Sequence, residues 1–319
     1  MIANFEPSSQ HPYGEVAVGV VRPQVATSGD RPDVGRVRDV VDAARDLGLA
    51  AVCANDHLTF HRPWLDGPTL LAAVADRAGG MDLATTVALP SLRGPAQLAA
   101  ALTTLATLAP GRVVAGVGAG SSAADHAAAG VRFDDRWPQF EESLHVLRGL
   151  LGGGSLPARW VEILDGSRQV EPPAPVPIWV ASWGSPAGLR RVARWGDGWL
   201  ASAYNTSPEA FAEGRRRLAQ ERARLDRPDL PAAVATMWTW VTDDPADAER
   251  VLVDVLAPLV RRDPGELRDR VCVGTPEHCA DLLGRYAAAG CSRIHVWPLG
   301  DEIAQLERLV DDVLPRLLV

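Results

Sequence analysis

The chain has 319 residues, a length that one α/β barrel of about 250 residues with insertions accommodates. Apolar residues make up 47% and charged residues 23%, close to the soluble globular average, which excludes collagen-like, disordered and coiled-coil chains. All 32 basic residues are arginine and the net charge is −8 with no basic stripe, which excludes Schiff-base and P-loop lysine chemistry and argues against a nucleic-acid footprint.

Residues 1–13 are polar and lack both a basic n-region and an apolar h-region, so a cytoplasmic protein is expected. Residues 16–21 form the first predicted strand, and Val34, Val37, Val40, Val41, Ala44 and Leu47 then recur at helical spacing. Strands follow at 50–54, 82–88 and 113–117, with helices at 69–78 and 96–108 between them. The weakly polar run 98–110 carries three threonines and is shorter than the ~18 residues of a membrane span, so it is read as packed helix and no membrane contact is expected. Trp137, Phe140, Leu144, Leu147 and Leu151 mark a helix over 137–151. Residues 152–177, with three successive glycines and five prolines, break the rhythm as an insertion. Strands at 177–181, 198–201, 233–241 and 294–297 complete eight, with helices at 189–195 and 207–225. A second insertion, 243–270, carries one or two helices, and Thr275 before Pro276 reads as a helix cap. Ile303, Leu306, Val310, Val313 and Leu317 stripe the last helix.

Eight strands alternating with helices predict one (β/α)8 TIM barrel over 1–319, with insertions after helix 4 (152–177) and strand 7 (243–270). Barrel enzymes place their reacting groups at strand carboxyl ends, so the residues after each strand carry the functional argument.

Gly116-Val117-Gly118-Ala119-Gly120-Ser121 has serine where a dinucleotide fingerprint wants its third glycine, and suits either a wall against a planar ligand or a tight turn. Ala181-Ser182-Trp183-Gly184-Ser185 runs into a helix start, which suits a phosphate or an ordinary Ser185 cap. His57 follows Asp56 at a strand end, where an imidazole beside a carboxylate exchanges protons near neutral pH; Asp56 as a capping residue is the alternative. His57 and His61 lack a third ligand, so no metal is expected. Ser121, Ser122, Asp125 and His126 lack the G-x-S-x-G setting and lie too close in sequence for a hydrolase triad. Histidines 11, 145, 278 and 295 show no partner pattern and are read as structural or exposed. The cysteines at 53, 272, 279 and 291 lack C-x-x-C spacing and read as buried free thiols. Tryptophans 183, 238, 240 and 297 follow or end predicted strands, to wall a cofactor or fill the core.

Several strings stand in order from about 15 to 300: Asp56-His57, Ala84-Thr85-Thr86-Val87 through Pro90, Leu108-Ala109-Pro110-Gly111-Arg112-Val113 leading into the glycine run, Pro177-Ile178-Trp179-Val180-Ala181, Gly196-Asp197-Gly198-Trp199 and Val273-Gly274-Thr275-Pro276-Glu277. In this order they resemble the luciferase-like monooxygenase superfamily, and more closely its branch that uses the deazaflavin coenzyme F420. The resemblance implies a barrel of the bacterial-luciferase type, a homodimer, and a small-molecule substrate. It also implies a non-prolyl cis peptide between Thr86 and Val87. Asp56, His57, Thr86, Val87 and Gly118 would lie by the cofactor ring, and Ala181, Ser182, Trp183 and Gly184 by its phosphate. His57, with Asp56, becomes the acid/base or hydride-polarising candidate, and Trp64 a wall on the substrate side. The chain departs from the pattern at 121–126, where many deazaflavin members place tryptophan or glutamate and then an acidic residue, and only Asp125 matches. Lack of lysine removes a cationic contact that some relatives use. Hydride transfer between F420 and a small organic substrate is expected; the alternatives are an FMN-dependent monooxygenase fed by a partner reductase and a barrel that only binds a flavin-like ligand.

Overall fold

The computed structural model describes residues 17–21, 32–165 and 170–317; Val16, predicted in the first strand, and His11 lie outside them. Nine strands occur in this part: β1 (Ala17–Val21), β2 (Ala51–Ala54), β3 (Asp82–Thr85), β4 (Val113–Val117), β5 (Ile178–Ala181), β6 (Gly198–Ser202), β7 (Ala232–Val241), β8 (Cys272–Gly274) and β9 (Arg293–Pro298). All pairings are parallel, and eight strands close a ring in the order β1 to β7, then β9 back to β1. The short β8, absent from the sequence expectation, pairs only with the carboxyl half of β7.

Strand residues are buried on both faces because helices cover the ring outside and side chains fill it inside. The two-residue period divides them. Ala51, Cys53, Ala84, Val114 and Ala233 face an inner cluster with Trp179, Leu200 and Trp238. Val52, Leu83, Ala115, Val180 and Val234 meet the helices in the outer core. Gly116 is required by this closeness, because a Cβ there would sit 1.9 Å from the Thr85 carbonyl oxygen.

Helices follow the predicted pattern with shifts at their ends that caps explain. Asp33 caps Val34–Asp46, Ser185 caps Pro186–Trp195, and Thr275 caps Pro276–Ala288 with proline at its start. The helix expected at 69–78 is instead Gly67–Ala72, capped by Asp66. Beyond it the N–H groups of Val74, Ala75 and Arg77 donate three residues back, so the chain continues as irregular turns. Insertion 152–177 contains one short helix, Ala158–Ile163. Insertion 243–270 folds into Pro245–Arg250, a π-helical turn Val251–Leu256, Ala257–Val260 and Pro264–Leu267. The four cysteines are buried and none is in a disulfide, and among the described residues no helix is long and apolar enough to cross a membrane.

Candidate active site

The strands' carboxyl ends open onto an inner cleft of 140 Å³ and an outer cavity of 510 Å³. Both are lined by Asn55, His57, Ser121, Trp183, Tyr204 and Thr236.

At the exit of β2, the chain neighbours Asp56 and His57 part company. Asp56 is 5% exposed, and both its oxygens lie in the guanidinium fork of Arg93, with a further hydrogen bond from the Leu89 N–H at 3.2 Å. Arg93 also holds Asp66, the cap of Gly67–Ala72, so this network braces the loops after β2 and β3. The hydrogen bond from Arg93 to Asp56 heads the interactions that raise the guanidinium pKa above its ordinary value, against the pull of burial. The carboxylate that serves His57 is therefore not Asp56, a correction to the sequence expectation. Consecutive side chains on an extended segment point to opposite sides, so one cannot readily reach the other.

Asp125 takes that place. Its Oδ2 lies 2.8 Å from His57 Nδ1, while Oδ1 accepts from the Thr59 N–H at 2.6 Å and the Thr59 hydroxyl at 2.8 Å. Ser122 positions it by capping Ala123–Ala128, its Oγ accepting from the Asp125 N–H at 3.1 Å. Burial works to raise the Asp125 carboxyl pKa, but the bonds from His57 and Thr59 outweigh it and hold the group below its ordinary value. A carboxylate acceptor at Nδ1 requires that nitrogen to donate, which leaves Nε2 as the imidazole's other hydrogen-bonding atom. Trp64 stands edge-on to the His57 ring at 4.7 Å, and Phe60 lies at 5.1 Å.

At the exit of β3 the Thr86–Val87 peptide is cis, and the strand ends at Thr85, with Ala88 rejoining Val117 through an isolated bridge. Thr86 Oγ1 donates to Asn55 Oδ1 at 2.8 Å. Val87 projects onto Gly118, where a Cβ would come within 2.8 Å of Val87 Cγ2, so the glycine receives that side chain. At the exit of β5, Ser182 Oγ accepts from the Gly184 N–H at 3.2 Å, and its carbonyl accepts from Trp199 Nε1 at 2.9 Å. Gly184 has φ +89°, a left-handed conformation that suits glycine, and a Cβ there would meet open space. Ser185 is an ordinary cap as well, accepting from the Gly188 N–H at 3.2 Å.

The inner cleft collects Thr86, Val87, Ala181, Trp183 and Asp125, while Trp64 lies in the outer cavity. Trp183, Trp238 and Trp297 also line the outer cavity; Trp240 instead donates to Asp247 at 2.8 Å. His126 turns away, with Nδ1 2.9 Å from the Ser122 carbonyl and its ring edge-on to Phe133. His295 is in the barrel interior, 2.6 Å from the Cys53 thiol, and His145 packs on Trp195. Among the described residues, no cluster of three His, Cys, Asp or Glu side chains could hold a metal.

Several lining groups carried no local signal. A bulge in β7 between Val234 and Met237 places Thr236 at φ +57°, an outlier for a β-branched residue, with its Oγ1 3.2 Å from Ser202 Oγ. Tyr204 stands beside them; burial pushes its phenol pKa up, opposed by the Arg262 charge and the Ser202 hydroxyl. Insertion 243–270 roofs the outer cavity with Leu259, Val260, Arg261 and Arg262. Asp125 alone was foreshadowed, by its place after the β4 glycines.

Residues 13–269 match the family described as luciferase-like monooxygenase. The F420-dependent glucose-6-phosphate dehydrogenase of Beutenbergia cavernae is 28% identical over 315 residues, covering 86% of this chain and 90% of that protein. The enzyme of the same name from Rhodococcus hoagii is 30% identical over 329 residues, covering 88% and 94%. Among solved structures, an F420-dependent secondary alcohol dehydrogenase in complex with an F420-acetone adduct superposes with a TM-score of 0.74 at 16% identity, covering 95% of this chain and 99% of that one. Monooxygenase RslO1 from Streptomyces bottropensis does so at 0.75 and 18%, covering 94% and 99%, and at these identities the likeness speaks to fold.

Proposed function

The chain belongs to the luciferase-like monooxygenase family, and from that membership and the geometry of the barrel mouth we propose that it is an F420-dependent oxidoreductase acting on a small organic substrate. When bound, the deazaflavin supplies or accepts a hydride. The residues present fit such a group. Val87, Ala181, Ala201 and Ala235 give the inner cleft small apolar walls suited to a planar ring, and the space beside Gly184 is open. Thr86, Val87 and Gly118 would flank the ring, and Ala181, Ser182, Trp183 and Gly184 would hold the phosphate near the start of Pro186–Trp195.

The observation that carries this proposal is the His57–Asp125 pair at the cleft. Asp125 fixes the tautomer and orientation of the imidazole, as an acceptor behind a catalytic histidine does. His57 Nε2 then gives a proton to the substrate oxygen, or takes one from it, as the adjacent C–H bond is made or broken. Trp64 walls the substrate side and Asp56 braces the loop that presents His57. We further propose a cytoplasmic homodimer, which rests on family resemblance and is checked by size-exclusion chromatography and cell fractionation.

Anaerobic fluorescence titration with F420 and with FMN, followed by turnover trials with glucose 6-phosphate and secondary alcohols, tests the proposal. Tight F420 binding with reduction of the coenzyme is expected. Preference for FMN with oxygen consumption would replace it by a monooxygenase, and ligand binding without any turnover by a binding barrel.

A further inference from the structure

The outer cavity combines two properties that together specify a kind of substrate. The first is charge. The chain carries 40 acidic residues against 32 arginines, yet among the described residues lining this cavity none is acidic, while Arg261 and Arg262 both are present. Arg262 is already engaged, donating to Asn205 Oδ1 at 2.9 Å and facing Glu266 at 3.7 Å. The Arg261 N–H donates to the Ala257 carbonyl, but its guanidinium makes no hydrogen bond or ion pair within the described residues. Its backbone, at φ +54°, closes the helix Ala257–Val260 in a left-handed conformation that glycine adopts with less strain. An unpaired guanidinium on such a backbone position, at the rim of a cavity without carboxylates, offers a two-pronged donor to an anion.

The second property is the surface beyond the charge. Trp238 stacks on Trp297 at 4.2 Å, Trp64 stands edge-on to Trp297 at 5.7 Å, and Phe60 edge-on to Trp64 at 4.8 Å. Leu259 and Val260 also line this cavity. The indole N–H groups of Trp64 and Trp238 are buried and without partners, so these rings present carbon to the cavity. A polyhydroxylated body seated there would give up water without gaining hydrogen bonds from them, whereas an apolar body would not.

We propose that the outer cavity takes an amphipathic anion, an apolar or aromatic body bearing one carboxylate or phosphate that pairs with Arg261, and not a sugar phosphate. This deepens the proposed function, and depends on it only in taking the outer cavity as the substrate side.

Calorimetric titration of the F420-loaded protein with 3-phenylpropionate, its neutral amide 3-phenylpropionamide, phenyl phosphate and glucose 6-phosphate tests it. The two aromatic anions should bind about tenfold more tightly than both the amide and the sugar phosphate. Arg261→Gln should remove that advantage over the amide while amide and F420 affinities stay unchanged. Arg261→Gly, which suits the left-handed backbone, is the second variant and should fold at least as well while losing the same preference. Equal binding of acid and amide, tightest binding of glucose 6-phosphate, or no binding of any probe overturns the proposal. If F420 itself fails to bind, the proposed function falls, and the same titration on the cofactor-free protein still decides this point. In that arm, anion binding unaffected by Arg261→Gln but competed by inorganic phosphate belongs to the loop at Ser182–Ser185 and also counts against it.

Discussion

His57 and Asp125 stand 68 residues apart in the chain and 2.8 Å apart across the barrel mouth. The exits of β2 and β4 bring them together, and Thr59 holds the second carboxylate oxygen. An imidazole so held is oriented before any substrate arrives, and pre-orientation of this kind lowers the cost of a proton transfer.

His57→Asn should slow the chemical step by about 10²–10⁴-fold and leave F420 affinity within a small factor. Asp125→Asn should slow it by about 10–10²-fold, because the imidazole remains but its orientation and tautomer are no longer enforced. Single-turnover kinetics beside a binding titration checks both, and an unchanged rate in His57→Asn would end the catalytic role.

Asp56 should behave differently from Asp125. Asp56→Ala leaves the largely buried Arg93 guanidinium without its main partner, and removal of one member of a buried pair costs about 3–5 kcal/mol. Chemical denaturation should show that loss. A variant of wild-type stability and reduced rate would return Asp56 to the chemistry.

Substitutions in the proposed cofactor contacts should separate affinity from stability. Gly118→Ala forces a Cβ to within 2.8 Å of Val87 Cγ2 and should displace Val87 into the cleft, weakening F420 binding more than tenfold. Gly184→Val meets no neighbour within 4 Å but is strained at φ +89°, at a cost of about 1–3 kcal/mol. Its fluorescence titration should show weaker F420 binding, with thermal melts reporting the strain separately. Equal affinity to wild type would remove the loop from the phosphate site.

His295 gives a pH dependence with a definite sign. It is 2% exposed, and burial, with the Arg293 charge, lowers its pKa from 6.5 to about 3. Between those values the unfolded chain binds a proton that the folded chain does not. Its contribution to stability is therefore present above pH 6.5 and is lost as the pH falls toward 3, at up to about 1.4 kcal/mol per unit. Guanidinium unfolding at a series of pH values should show this slope, and His295→Gln should flatten it. An identical slope in the variant would refute the assignment.

The sequence by itself determined the barrel, because two-residue and helical periodicities are local and persist along the chain. It marked the helix over 137–151 and the Thr275 cap, and the family strings pointed to the cis peptide before Val87. Partners were another matter. That Asp56 binds Arg93 and His57 binds Asp125 follows only from ring closure and from neighbouring side chains diverging at a strand exit. The bulge that strains Thr236, and the return of Leu259–Arg262 over the mouth, likewise depend on how β7 packs between β6 and β9. Periodicity states which face of an element is buried, whereas contacts between residues distant in sequence are set by register and closure, which no local pattern encodes.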